Sequence, residues 1–128
     1  VSYISPHAFV WPTAKIGENC FIFENNVIQH GVEVADNVVL WSGNHIGHHG
    51  VIKDHVFFTS HVVMSGHCLI ESHCFFGVNS SVSDNINIDD FSIVGQNASV
   101  IKSIPTNTIV LGAKSDVRTI KSTKLIDF

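Results

Sequence analysis

The sequence predicts an all-β fold, a parallel β-helix wound from a six-residue repeat. Three observations carry this expectation: an apolar residue at every sixth position from Ile4 to Val100, a column of small or modest residues four positions behind it, and no insertion or deletion before Pro105. A period of six fits neither the 3.6 of an α-helix nor plain alternation along a strand. It suits a short strand and a corner repeated around a solenoid.

In chain order the first column reads Ile4, Val10, Ile16, Ile22, Ile28, Val34, Leu40, Ile46, Ile52, Phe58, Met64, Ile70, Phe76, Val82, Ile88, Val94 and Val100. With 45% apolar residues overall, an unbroken run of this length arises by chance on the order of once in a million for a given frame. The second column runs from Ala8 through Cys20, Asn26, Asn44, Gly50, Cys68, Cys74 and Ser92 to Ile104. Three flat faces per coil, as in the hexapeptide β-helices that this repeat resembles, turn the run into five to six coils. Residues eighteen apart then stack, about 4.8 Å from coil to coil. Ile22, Leu40, Phe58, Phe76 and Val94 become one interior ladder, and Asn26 stacks on Asn44 as an amide ladder. The three cysteines belong to the small inward column and are expected to pack. Pro105, which cannot donate to a strand ladder, ends the pattern, so the repeat domain is expected over 1–105. A strand and tail follow over 106–128, with Thr108 to Leu111 as the strand and Gly112 as a turn.

At 128 residues the chain has the size of one domain. Only 14% of residues are charged, a lean surface that partner chains are expected to cover. A formal charge of −4 argues against a nucleic-acid partner, which needs clustered Lys and Arg. Five of the seven basic residues, Lys102, Lys114, Arg118, Lys121 and Lys124, nevertheless lie in the last 27 positions. That end either meets an anion or is a solvated tail. Three cysteines without C-x-x-C spacing suggest neither a disulfide framework nor a zinc knuckle, and fit a reducing cytoplasm. No apolar run approaches the roughly 20 residues of a membrane span, and no signal-peptide order opens the chain, so no membrane insertion is expected. The chain begins at Val1, which suggests processing or excision from a longer protein.

Nine histidines are present, and His49, His55, His61, His67 and His73 recur at one hexad position. The stacking map divides this row among three corners, His49 with His67, His55 with His73, and His61 alone. One ion cannot collect ligands from three corners of a prism, so no metal is expected. His48 stands one position earlier, with His30 one coil before it and Gly66 one coil after. A histidine beside an unobstructed backbone amide is the equipment of acyl transfer: a base for an attacking amine or hydroxyl, and a donor for the thioester oxygen.

The hexads, with Ile46-Gly47-His48-His49-Gly50-Val51-Ile52 at their centre, resemble the left-handed β-helix acyltransferases. Within them they resemble the bacterial sugar acetyltransferases of the sialic-acid O-acetyltransferase and bacillosamine N-acetyltransferase group. The stretch from Ser103 to Lys114 resembles the way many of these enzymes end. The resemblance implies a homotrimer with acetyl-CoA in a groove between β-helices and His48 as general base. It implies the Gly66 amide near the thioester, with Gly77, Gly95, Ala98, Lys102 and Lys114 as cofactor contacts. The family commonly places a carboxylate after its catalytic histidine, where this chain has His49, so His49, His30 and Asn44 are the candidates to orient His48 or hold the acceptor. The family's proline between tail glycine and alanine is missing from Gly112-Ala113.

The implied activity is acetyl transfer from acetyl-CoA to an amine or hydroxyl of a nucleotide-linked bacterial sugar, in surface-polysaccharide synthesis. Relatives often carry a Rossmann-type nucleotide-sugar domain, and no glycine-rich fingerprint of one is present; either the chain is a fragment or the trimer alone holds the sugar. Two alternatives stand beside this reading. A γ-type carbonic anhydrase needs two histidines five residues apart, and no pair here has that separation. A non-catalytic β-solenoid scaffold is the other; an ice-binding surface would need threonine ladders that the sequence lacks. Phe57, Phe75, Trp11 and Trp41, expected on or near the outer faces, would mark the trimer interface.

Overall fold

The computed structural model describes residues 1–121 and Thr123. Eighteen two-residue strands, from Tyr3–Ile4 to Ile109–Val110, form three parallel sheets of seven, six and five strands. They wind a left-handed β-helix of about six turns. Each turn contributes one strand to each face, and from Tyr3 to Val100 every paired residue sits eighteen positions from its neighbour, as in Ile22↔Leu40 and Phe58↔Phe76.

The interior follows the two columns. Ile22, Leu40, Phe58, Phe76 and Val94 are each fully buried. Asn26 and Asn44 lie among them because the coil spacing satisfies their amides: Asn26 Oδ1 accepts from the Asn44 N–H at 3.1 Å, and Asn44 Oδ1 accepts from the Val62 N–H at 2.8 Å. The thiols of Cys20, Cys68 and Cys74 also turn inward and donate to carbonyls of Ala35, Ser83 and Asp89. Burial, opposed by backbone hydrogen bonds, pushes the Cys68 and Cys74 thiols up, which disfavours the reactive thiolate.

The corners explain the histidine row. All positive-φ residues other than glycine, Asn107 excepted, stand at one hexad position: Asn19, Asn25 and Asn37, then His49 through His73, then Asn79, Asn85, Phe91 and Asn97. Gly31 and Gly43 fill the gaps at the same position. The corner requires the left-handed region, which Gly enters freely and Asn and His enter more readily than most residues. Phe91 is the exception in type, and its ring stacks on His73 at 4.7 Å with the planes 7° apart.

Three expectations need correction. Ile4 is 41% exposed, because the first coil has no neighbour below it to close the interior. The eighteen-residue register ends after Val100: Ile104 bridges Ile88, and Ile109–Val110 pair with Ile93–Val94, each sixteen residues apart. Asn107, sixteen residues beyond Phe91, accordingly repeats the left-handed corner. The tight last coil therefore carries the solenoid past Pro105 to Val110. Ile104, buried either way, concealed the slip.

The outer residues of the seven-strand face are apolar at every level: Tyr3, Phe21, Val39, Phe57, Phe75, Ile93 and Ile109. Phe57 is half-buried, while Phe75, Trp11 and Trp41 are exposed. Beyond Leu111 the described chain forms no strand. Lys114, Arg118 and Lys121 are exposed there, as Lys102 is before it, with Arg118 pairing with Asp116 at 2.8 Å; Lys124 lies outside the described residues. No helix among the described residues is long and apolar enough to cross a membrane.

Candidate active site

The histidines of interest gather at the corner between the six-strand and five-strand faces. Successive coils place His30, His48, Gly66 and Asp84 at equivalent positions there, eighteen residues apart. The His48 N–H donates to Gln29 Oε1 at 3.0 Å, and its carbonyl accepts from the His67 N–H at 3.0 Å, so both neighbouring coils fix its backbone.

The ring of His48 has two distinct edges. Nδ1 lies 3.2 Å from His49 Nδ1, a hydrogen bond in which one nitrogen must carry the proton. Nε2 lies on the other side, 2.7 Å from where a Cβ on Gly66 would stand. Gly66 is thus required by the ring above it, since any side chain would push the imidazole away. The stacking map anticipated this pair of neighbours. The amide assigned to oxyanion binding is already engaged, however: the Gly66 N–H donates to Asp84 Oδ1 at 2.9 Å.

His49 is the centre of the cluster. Its ring meets His30 edge-on at 5.2 Å and His48 edge-on at 5.4 Å, and stacks on His67 at 5.0 Å with the planes 2° apart. Desolvation by the packed rings, and then the charges that His67, His30 and His48 can carry, hold its pKa below the ordinary histidine value. A neutral His49 can accept from His48 Nδ1–H and leave Nε2 of His48 with a free lone pair. The ring of His30 is fixed in turn by Thr13 Oγ1 at 2.7 Å. Trp11, Gln29, His30 and His48 line an open groove.

Other expected contacts are placed elsewhere. Asn44 points into the interior, its amide nitrogen bonded to the Trp41 carbonyl and its oxygen to the Val62 N–H, so it neither orients His48 nor faces an acceptor. Ala98 is also an interior residue. Gly77 and Gly95 follow strands of the seven-strand face, at a different corner from His48. An added Cβ on Gly77 would stand 2.5 Å from the Gln96 nitrogen, so coil packing alone accounts for this glycine. Lys102 follows the strand Ser99–Val100, where the eighteen-residue register ends, and Lys114 follows the last strand. Sequence reasoning missed Gln29, Thr13 and Asp84; the last was within its reach, being the eighteen-residue neighbour of Gly66.

The family profile described as the GMPPB C-terminal domain matches residues 1–110. This chain belongs to that family. Among curated proteins no match to this chain is found. Solved structures do resemble it. The acetyltransferase domain of PglB from Neisseria gonorrhoeae superposes with a TM-score of 0.86 at 22% identity, over 88% of this chain and 55% of that one. An asparagine-for-histidine variant of perosamine N-acetyltransferase from Caulobacter crescentus, solved with CoA and GDP-perosamine, gives 0.86 at 19%, over 94% and 57%. WeeI from Acinetobacter baumannii gives 0.84 at 22%, over 88% and 55%. This chain therefore spans little more than half the length of these structures whose fold it shares.

Proposed function

We propose that this domain transfers an acetyl group from acetyl-CoA to an amine or hydroxyl of a nucleotide-linked sugar, with His48 as general base. The observation that carries the reading is the two-sided environment of His48. Nδ1 is held by His49, Nε2 sits over Gly66, and His48 also lines an open groove with Trp11, Gln29 and His30. In the reactive tautomer His49 accepts the Nδ1 proton of His48. Nε2 then takes a proton from the acceptor as its nitrogen or oxygen attacks the thioester carbon. The tetrahedral intermediate collapses with expulsion of the CoA thiolate, to which the imidazolium of His48 returns the proton. No covalent acyl-enzyme is needed. His49 thus performs with a neutral nitrogen the orienting task that related enzymes give to a carboxylate.

Two fold-mates lend this reading their chemistry: the PglB domain is also solved with acetyl coenzyme A, and the perosamine enzyme with CoA and a GDP-sugar. The donor would lie along the His48 corner. Three coils separate His48 from Lys102, about 14 Å at the inter-strand spacing, which suits an extended pantetheine arm ending at the diphosphate. Gly77 and Gly95, on another corner, would reach the same donor only from a neighbouring copy. A homotrimer would supply such a neighbouring copy. For the Gly66 amide to meet the thioester oxygen, the Asp84 carboxylate must first leave it.

The engaged amide favours the second reading, a non-catalytic solenoid. Incubation with acetyl-CoA and a panel of nucleotide-linked amino sugars, read by thiol release, separates the two. Acceptor-dependent thiol release supports the transferase. No release, together with no acetyl-CoA-dependent rise in melting temperature, supports the scaffold, since a ligand bound only by the native state must stabilise it.

A further inference from the structure

We propose that His48, His49 and His67 form a site for one divalent first-row transition ion of the Zn²⁺ class, and that the bound ion suppresses the base function of His48. One donor nitrogen from each ring lies within 4.8 Å of the other two, the one such cluster among the described residues. The ring centroids form a nearly equilateral triangle, 5.4 Å for His48–His49 and 5.0 Å for each of the other pairs. Three imidazoles bonded to a tetrahedral ion at about 2.0–2.1 Å hold their centroids roughly 5 Å apart. The free site already has that spacing. Likewise, the 3.2 Å between the Nδ1 atoms of His48 and His49 matches the edge of about 3.3 Å of such a tetrahedron.

The donor set selects the ion. Three neutral imidazoles without a carboxylate suit Zn²⁺, Cu²⁺, Ni²⁺ or Co²⁺, and not Mg²⁺ or Ca²⁺. His49 and His67 lie parallel in the free site, so ligation turns one ring out of the stack. Both are exposed, and the terminal torsion of histidine is broad. The fourth position opens toward solvent, where water completes the sphere.

The sequence argument against an ion spanning three corners still holds, because this site uses one corner. Two members of the histidine row, His49 and His67, supply two ligands there, and His48 from the adjoining hexad position supplies the third. His55 and His73 make a pair completed only by Phe91, which is no ligand. The proposed transfer reaction itself needs no metal. An ion at this corner takes the Nδ1 pair that fixes the tautomer of His48 and places positive charge beside the base, so it acts as an inhibitor. That inhibitory half rests on the acetyltransferase reading; ion binding does not.

The test is titration of tag-free protein with Co²⁺, followed by visible absorption, then displacement by Zn²⁺. One Co²⁺ per chain with the intense bands of tetrahedral coordination is expected. His67→Asn, which keeps a residue suited to the left-handed corner, should lose those bands and weaken binding at least about tenfold, while His73→Asn should bind as wild type does. Zn²⁺ should inhibit turnover of the wild type and spare His67→Asn. Absence of stoichiometric Co²⁺ uptake, or equal uptake by His67→Asn, would overturn the site. Stoichiometric Zn²⁺ binding with unchanged turnover would overturn the inhibition. A protein without acetyl transfer counts against the catalytic reading alone, because ion binding is read spectroscopically.

Discussion

His48 and Gly66 divide one space between them. The imidazole occupies the volume that a side chain at position 66 would fill, and φ of Gly66 is not positive, so the backbone accepts alanine. Gly66→Ala should therefore leave the melting temperature nearly unchanged while displacing the far end of a flexible ring, with a loss of roughly tenfold or more in kcat, given how steeply catalysis depends on placement. Steady-state kinetics beside a thermal melt checks both halves. His49 supplies a pH prediction. Its folded pKa is lowered, so the unfolded chain, with an ordinary value near 6.5, binds more protons than the native one as pH falls below that value. The contribution is fully present above the unfolded pKa and is lost as pH drops through 6.5 toward the folded value. The melting temperature should fall between pH 7.5 and 5.5, and His49→Asn should reduce that fall. The position of His48 was legible in the sequence because the hexad places it over Gly66. The ring geometry of His49 was less so, because spacing gives neighbours but not where side chains turn.

At the scale of the element, the repeating unit is a two-residue strand and a corner with one left-handed residue. The apolar columns displayed the strand half of this unit plainly. The corner half was equally periodic, as Asn, Gly and His alternate at one hexad position, and the left-handed backbone accounts for the recurrence of five histidines there. His61 tests this. Its conformation is left-handed, so His61→Ala should cost up to about 1 kcal/mol, the several-fold preference of His for this region, whereas His61→Asn should cost little; urea unfolding of both variants distinguishes a backbone role from a side-chain one. The shortened coil after Val100 could not be read in advance, since Ile104 satisfies the apolar pattern in either register.

The whole molecule presents one face that the others do not match. Seven stacked strands carry apolar outer residues from Tyr3 to Ile109, a stripe of roughly 29 Å at the inter-strand spacing, longer and more continuous than an isolated surface needs. We propose that a trimer buries it. Light scattering should report a trimer, and Phe75→Glu should yield monomers that retain the β-helix by circular dichroism yet lose acetyl transfer. The central claim is that His48 removes the acceptor proton, and it is most directly measured by comparing turnover and acetyl-CoA affinity of wild type and His48→Ala on the same acceptor. The account predicts a fall in kcat of about 10²–10⁴-fold with acetyl-CoA affinity nearly unchanged. Full turnover by His48→Ala would contradict it.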